Sequence, residues 1–303
     1  MVALSPKDIL TREVLDWKGV HLLHFMGSSC SQKTRIALNL KGVDWTSHHV
    51  DLGRHENYEP WFMGINPRGL VPVLVHDGRV IIESNDILEY IERLSPAPAL
   101  IPRDKAEAMH ALLKAEDDLH LDLRALSMRF LFGAAAVRTV EQLAAYSQNG
   151  AGTVEGRPDP HKRVELEFFQ SMIDNSGITD EQVRISAGRF RSAFEELEER
   201  LSDGDYLLGD MVTLMDIAWF IYAARLNATG YPLASLHPRV SAWFDRLDGR
   251  AEFHKEVAMP PPLIARRDAM HREFEASGQT LALIGDLSAP EQTTQPITTH
   301  SNL

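Results

Sequence analysis

Three small side chains that could take part in chemistry, Ser28, Ser29 and Cys30, lie between an apolar run and a basic, amphipathic segment. Residues 21–26 (HLLHFM) predict a short buried strand, and residues 32–40 carry apolar side chains at helical spacing. A helix N-terminus offers unpaired N–H groups and a partial positive charge, which stabilise an anion. Serine hydroxyls at such a point can donate a hydrogen bond to a thiolate and lower the pKa of the thiol. The segment therefore predicts an anion or thiolate site.

Cys30 is the one cysteine of the chain, and two interpretations of it stay open. It is either a small core residue or, because of its place at a strand-to-helix turn, a reactive thiol. A single cysteine excludes internal disulfides and fits a reducing compartment.

Two further positions allow both a structural and a functional interpretation. Pro72 is either an ordinary edge proline or part of a cis Val71-Pro72 bond, which would turn the Val71 N–H and C=O outward to grip a peptide backbone. Ser84 predicts a helix N-cap, and the same N–H groups could hold a ligand carboxylate while Glu83 binds an ammonium group. The two interpretations of Ser84 are compatible.

The remaining polar motifs predict structure rather than chemistry. Thr213 and Asp216 form a capping box that begins a buried helix. His48 and His49 would point to opposite faces of a strand and cannot bind one metal ion together. The sequence thus predicts no metal site.

Bulk composition limits the class of protein. The chain has 303 residues, 44% of them apolar and 24% charged, which is typical of a globular protein with room for two domains. Its net charge of -12 argues against a nucleic-acid partner. No apolar run approaches the roughly 20 residues that span a membrane, and the first residues lack the pattern of a secretory signal. The expected location is the cytoplasm.

The order of predicted elements indicates two domains. We expect an N-terminal extension over residues 1–19, with one short helix, and then an α/β domain over 20–95 whose hairpin turn is Asp77-Gly78. Strands are expected at 21–26, 45–50, 71–75 and 79–82, and helices at 32–40 and 84–94.

A proline-rich linker over residues 96–103 separates this unit from an all-helical domain over 104–276. The helical domain is expected to begin with a single helix of about 28 residues, 106–133, because the 3.6-residue period is continuous there. Residues 149–159 predict a polar loop, and residues 277–303 predict a disordered tail.

Taken together, the motifs SSCSQKTRIALNLKGVDW, NPRGLVPVL, ES and TLMD resemble the cytosolic glutathione transferase superfamily, with a zeta-like active-site motif. The resemblance covers residues 20–260 and extends to the maleylacetoacetate isomerases, the chlorohydroquinone reductive dehalogenases and the bacterial β-etherases. It implies a thioredoxin-like N-terminal domain, an all-α C-terminal domain, glutathione as co-substrate or cofactor, and a homodimer.

The resemblance also implies roles for individual residues. Ser28 would activate the glutathione thiolate with Ser29 and Cys30 behind it, and Val71 and Pro72 would bind the cysteinyl backbone. Glu83 and Ser84 would bind the γ-glutamyl end. The glycine carboxylate lacks its usual ligand, so Arg54 and His55, upstream of Asn57 and Tyr58, are the candidates. On the long helix, His120, Arg124 and Met128 share one face as pocket candidates, with Arg124 as stabiliser of developing negative charge.

The expected activity is attack of the glutathione thiolate on a small aromatic or quinonoid electrophile, by ether cleavage, conjugation or reductive dehalogenation. One alternative is a zeta-type cis-trans isomerase that uses glutathione as cofactor, and another is a non-catalytic binding protein on the same fold. The chain departs from the zeta motif at Gln32, where an aromatic residue is usual, and in an insertion near residues 147–180. In the reductive dehalogenases the position matching Cys30 forms a mixed disulfide with glutathione, so its role separates the mechanisms.

Overall fold

The computed structural model of the protein describes residues 2–133 and 137–288. Its first part is a four-stranded sheet in the order β2-β1-β3-β4, with helices packed on it. The strands are β1 (Val20–His24), β2 (Thr46–His49), β3 (Val73–His76) and β4 (Arg79–Ile81), and the helices are α1 (Ser29–Leu40), α2 (Pro60–Met63) and α3 (Ser84–Leu94). Helix α1 begins three residues earlier than its apolar periodicity indicates, because Ser28 caps it.

The pairing of the strands brings three strand ends together at one edge of this sheet. β1 runs parallel to β2 and antiparallel to β3, with Leu23 opposite Val73. β3 pairs antiparallel with β4 through the expected turn, where Asp77 and Gly78 both have positive φ. The end of β1, the start of β3 and the end of β4 therefore lie side by side.

The N-terminal extension forms part of the first domain rather than a separate arm. Ala3 bridges to Ile81 on the edge strand β4, and the Leu4 N–H donates to the Val80 carbonyl at 2.9 Å. The expected short helix is a 3₁₀ helix, Arg12–Asp16, whose Val14 is fully buried. The extension thus covers a strand edge that would otherwise be open to pairing.

The second part of the chain is helical, with one small hairpin. Its helices are α4 (Ala106–Asp117), α5 (His120–Ser127), α6 (Val140–Gln148), α7 (His161–Asp174), α8 (Asp180–Arg200), α9 (Leu214–Ala228), α10 (Leu233–Leu236), α11 (Pro238–Asp248), α12 (Ala251–Val257), α13 (Pro261–Ser277) and α14 (Leu281–Ile284). Helix α9 is mostly apolar and buried, with Arg225 in its last turn, and begins at the predicted Thr213–Asp216 capping box. None of the helices in the described ranges is long and apolar enough to cross a membrane.

The prediction of one uninterrupted helix over residues 106–133 is wrong. A 3₁₀-type bond from the Leu119 N–H to the Glu116 carbonyl (3.1 Å) tightens the chain after α4, and α5 starts at His120. A second interruption follows, a π-helix over Met128–Phe132. The helical periodicity of the sequence continues through this region, but tertiary contacts of Leu119 and His120 interrupt the helix.

Two other predictions for the helical region need correction. The loop over 149–159 contains a hairpin of β5 (Thr153–Val154) and β6 (Arg157–Pro158). Disorder was expected from residue 277, but α14 packs Leu281 and Ile284 against the core. Residues 281–287 (LALIGDL) are mostly apolar, so the polar composition that predicted disorder belongs to the residues that follow them. Residues 289–303 of the predicted tail lie outside the described part.

Candidate functional site

The N-terminus of α1 carries the three residues singled out from the sequence. Ser28 is the N-cap, and its hydroxyl oxygen accepts from the Ser31 N–H at 3.3 Å. Ser29 is the first helical residue, and Ser28, Ser29 and Cys30 are all partly exposed. The hydroxyl and the free N–H groups of this turn lie at the N-terminal end of α1, which carries a partial positive charge. Such a helix end suits the binding of an anion.

Cys30 lies between the two parts of the chain. Its Sγ is 3.8 Å from Nδ1 of His120, and the nearby Ser84 hydroxyl acts to lower the pKa of the thiol. Burial of the thiol raises the pKa of Cys30, and the nearby Lys33 ammonium only partly offsets this effect. Cys30 is therefore a neutral thiol at neutral pH in this state.

The Val71-Pro72 peptide bond is cis, as the functional interpretation of that motif predicted. The loop before it is held by Asn57, whose Nδ2 donates to the Gly69 carbonyl at 2.8 Å. Gly69 has φ +64°, and a Cβ there would lie 2.8 Å from both the Met63 sulfur and the Tyr146 ring. Only glycine fits this tight approach.

At the start of α3 the structure corrects the predicted cap. Glu83, with φ 67°, is the N-cap residue, and the buried Ser84 is the first residue of the helix. The positive φ of Glu83 turns the chain sharply, so the cap position falls one residue earlier than composition suggested. The Glu83 carboxylate pairs with Arg68 at 2.7 Å, and Arg68 also donates two 2.8 Å bonds to Asp159.

The candidates for the glycine carboxylate, Arg54 and His55, differ in their surroundings. Arg54 is exposed on the loop after β2. His55 has left-handed backbone (φ 59°) and stacks on Tyr58, with a 5.8 Å separation of the ring centroids. Its Nδ1 is buried without a hydrogen-bond partner among the described residues. Burial lowers the pKa of His55, and Arg138 acts in the same direction.

The pocket candidates of the helical domain form a connected group around His120. His120 Nδ1 is 3.2 Å from the Tyr222 hydroxyl, and Nε2 is 3.4 Å from Nη2 of Arg124. Burial lowers the pKa of His120 to about 4, and the Arg124 charge acts in the same direction. His120 is therefore neutral at pH 7.

Arg124 is held by Glu165 of α7 at 2.6 Å. Burial acts to raise the pKa of Glu165, but the charges and hydrogen bonds of Arg124 and His161 together lower it to about 2. Met128 begins the π-helix and packs on the edge of the main core. The contact between Arg124 Nη2 and His120 Nε2 supports the predicted common face for these two residues, and the place of Met128 on that face stays a prediction.

Several residues of the site were not found from the sequence. Glu165 and Asp159 both come from the insertion near 147–180, so the insertion reaches the candidate site as its position suggested. Tyr222 and Arg225 lie on α9, and Lys33 is fully buried against Glu116. Arg225, a single cation in a long apolar stretch, was a signal that sequence reasoning could have used.

Comparison with known proteins shows which family the chain resembles. The glutathione S-transferase N-terminal domain family matches residues 27–94, and the glutathione S-transferase C-terminal domain family matches residues 180–246. The protein LigF of Sphingobium sp. strain SYK-6 is 30% identical over 239 residues, which cover 76% of this chain and 89% of that protein. A probable maleylacetoacetate isomerase of Caenorhabditis elegans is 35% identical over 216 residues, which cover 70% of this chain and 83% of that protein.

Solved structures agree with the sequence relatives. The crystal structure of the β-etherase LigF from Sphingobium sp. strain SYK-6 superimposes with a TM-score of 0.66 at 28% identity, over 78% of this chain and 98% of that one. Among the sequence relatives, a tetrachloro-p-hydroquinone reductive dehalogenase of Sphingobium chlorophenolicum is 27% identical over 253 residues, which cover 80% of this chain and 96% of that protein.

The fold is that of a thioredoxin-like domain joined to a helical domain, with a candidate thiolate site between them. The chain belongs to the glutathione S-transferase family. The predicted fold class, family and use of glutathione as co-substrate or cofactor are confirmed.

Proposed function

We propose that this chain binds glutathione at the sheet edge formed by Ser28, Val71-Pro72 and Glu83-Ser84, with Ser28 hydrogen-bonded to the thiolate. The observation that carries the proposal is the register: β1 ends, β3 begins and β4 ends at the same edge, so these segments adjoin one another. The cis Val71-Pro72 bond suits the cysteinyl part of the peptide, which would pair with the Val71 backbone as in strand addition. The N-termini of α1 and α3 suit a thiolate and a carboxylate respectively.

The γ-glutamyl end carries both an ammonium and a carboxylate. Arg68 lies between Glu83 and Asp159 and is already paired with both. Two carboxylates around one guanidinium leave a negative charge to receive the ammonium, while the Ser84 hydroxyl and N–H receive the carboxylate. Arg54 and His55 stay the proposed contacts for the glycine carboxylate.

The chemistry that follows is attack of the thiolate on a small, aromatic or quinonoid electrophile held against the helical domain. Ser28 lowers the thiol pKa, and holding both reactants in one geometry supplies a further gain in rate. Arg124 lies beside the neutral His120 and stabilises negative charge that develops on the electrophile. Ether cleavage, conjugation and reductive dehalogenation share this first step.

A second candidate is cis-trans isomerisation with glutathione regenerated. It is favoured by the 35% identity to a probable maleylacetoacetate isomerase over 70% of this chain. The insertion that contributes Glu165 and Asp159 argues for a differently shaped electrophile pocket, so transfer remains the first choice.

Glutathione binding is tested first. We expect the protein to be retained on glutathione-agarose and to gain several degrees in melting temperature in millimolar glutathione. Ser84→Ala should weaken both effects, whereas Ser235→Ala, an exposed serine on α10, should not. No retention and no thermal shift would contradict the proposed function.

The reaction is then identified by a glutathione-consumption screen over maleylacetoacetate, halogenated hydroquinones and β-aryl ethers, with mass detection of adducts. Stoichiometric loss of glutathione indicates transfer, and product without loss indicates isomerisation. A glutathione-binding protein with no turnover in any class would be the non-catalytic alternative. A homodimer and a cytoplasmic location belong to the same proposal, and light scattering at micromolar concentration measures the first.

A further inference from the structure

Arg225, in the last turn of α9, is fixed beside the turn that leads into Ser28. Its Nη2 donates to the Gly27 carbonyl at 2.6 Å and lies 3.3 Å from Oε1 of Gln32. Its guanidinium lies 5.4 Å from the centroid of the Phe132 ring. An arginine from the helical domain therefore reaches across to the first domain next to the thiolate site.

The charge of Arg225 is not neutralised by the protein. Across residues 2–133 and 137–288, no carboxylate forms an ion pair with it, whereas Arg124 is paired with Glu165. Burial lowers the pKa of Arg225 to about 10, so the group stays a cation at neutral pH. A partly buried cation whose guanidinium contacts a carbonyl, an amide oxygen and an aromatic ring lacks an anion to offset its partial loss of hydration.

The position of Arg225 on its helix directs it to the candidate site. Tyr222 lies three residues earlier, on the same face of α9, and contacts His120. His120 in turn contacts Cys30 at the start of α1. The face of α9 that carries Tyr222 and Arg225 therefore borders the region where the thiolate and the electrophile would meet.

We propose that Arg225 binds an anionic group, a carboxylate or a phenolate, on the aromatic electrophile, with Phe132 packed against the ring. This inference rests on the proposed function, since it assigns a substrate class to the same site. A bidentate guanidinium contact suits either oxygen anion, and the adjacent aromatic ring suits an aromatic body. Arg225 is thus a specificity-determining residue for anionic over neutral electrophiles.

Two stable glutathione conjugates, one with an ionised carboxylate and one with a neutral carboxamide at the same ring position, test the proposed anion site. They are made without enzyme from 4-chloro-3,5-dinitrobenzoate and 4-chloro-3,5-dinitrobenzamide. In each synthesis the glutathione thiolate forms the C–S bond and chloride leaves with the C–Cl electron pair. Their affinities for the full chain are measured by isothermal titration calorimetry. We expect the carboxylate conjugate to bind at least about tenfold more tightly than the carboxamide.

Variants assign that preference to Arg225. Arg225→Gln should reduce it to less than about threefold, and Arg225→Lys should keep a substantial part because the charge remains. Arg129→Gln is the matched control, because Arg129 lies in the neighbouring π-helix and is already paired with Asp180 at 2.6 Å. The control should keep the full preference, and melting curves establish that each variant is folded.

Other outcomes overturn the inference in distinguishable ways. Equal affinity of the wild-type chain for the two conjugates would exclude a preference for anionic electrophiles and would leave glutathione binding intact. Equal weakening of both conjugates in Arg225→Gln, with a raised thiol pKa of bound glutathione, would assign Arg225 to the thiolate instead. If neither conjugate nor S-hexylglutathione binds, the glutathione site itself fails, and the inference fails with it.

Discussion

Lys33 Nζ lies 3.1 Å from both carboxylate oxygens of Glu116, and neither side chain is exposed. Lys33 is on α1, three residues after Cys30, and Glu116 is on α4, so this buried ion pair joins the two domains close to Cys30 along the helix. Asn85 of α3 contacts both groups, which completes their hydrogen bonding. The pair therefore holds the relative position of the helices that carry the candidate site.

Removing one partner of this pair should destabilise the protein strongly. We expect Lys33→Met and Glu116→Leu each to lower the free energy of unfolding by about 3–5 kcal/mol, because each leaves a buried charge unpaired. The double variant should lose less than the sum of the two. Urea denaturation at pH 7 measures all three variants.

Lys114→Met is the matched control for the buried pair. Lys114 pairs with Asp118 one helical turn away, but both side chains are more than half exposed. Its effect on the free energy of unfolding should stay within about 0.5 kcal/mol. Additive losses in the Lys33 and Glu116 double variant would show that the two residues are not energetically coupled.

Ser28→Ala should raise the thiol pKa of bound glutathione and lower kcat/KM at pH 7 by at least about tenfold with any accepted electrophile. The reason is the loss of the hydroxyl donor at the α1 N-terminus. Titration of the thiolate absorbance near 240 nm measures the pKa in the bound state. The loss of activity should shrink at pH values above the pKa of free glutathione. Unchanged activity and thiol pKa would show that Ser28 has no such role.

Cys30→Ser should leave conjugation or ether cleavage within about threefold of wild type. Burial raises the pKa of the Cys30 thiol, so it is a poor nucleophile at neutral pH. Alkylation of wild type by iodoacetamide should accordingly be slow at pH 7.4 and increase at alkaline pH. Accumulation of a Cys30–glutathione mixed disulfide during turnover, abolished in Cys30→Ser, would instead identify a reductive dehalogenase.

Buried histidines should make stability fall on acidification. His237 is 1% exposed, its Nε2 lies 3.0 Å from the Tyr231 hydroxyl, and burial lowers the pKa of its ring to about 4. The folded chain keeps this ring neutral, whereas the unfolded chain protonates it below about pH 6.5. Its contribution is therefore complete above pH 6.5, is lost between pH 6.5 and 4, and changes little below that.

His237→Gln tests this contribution. The free energy of unfolding of the variant should depend on pH less steeply than that of wild type between pH 6.5 and 4, by at most about 1.4 kcal/mol per pH unit. Denaturant titrations at half-unit intervals of pH give both curves. Parallel curves across this range would contradict a neutral, buried His237.

Much of the candidate site follows from local sequence because each part depends on a short motif. Ser28 at a helix start, the Asp77-Gly78 turn and the Thr213–Asp216 cap are set by interactions within a few residues, and all were predicted. The cis Val71-Pro72 bond was likewise one of two stated possibilities. Ser84 was misplaced by one position because the positive φ of Glu83 has no signal in composition.

Contacts between distant segments were decided only by the tertiary structure. A lysine in an amphipathic segment is ordinarily a solvated residue, and nothing local shows that Lys33 meets Glu116, 83 positions away. The break at His120 accompanies contacts of its side chain with Tyr222 of α9 and Cys30 of the first domain, which the helical period of the sequence does not show. The sequence by itself determined where a thiolate could be held, because helix caps and turns are local. Which charges surround that thiolate, Arg225 above all, depends on how two domains pack.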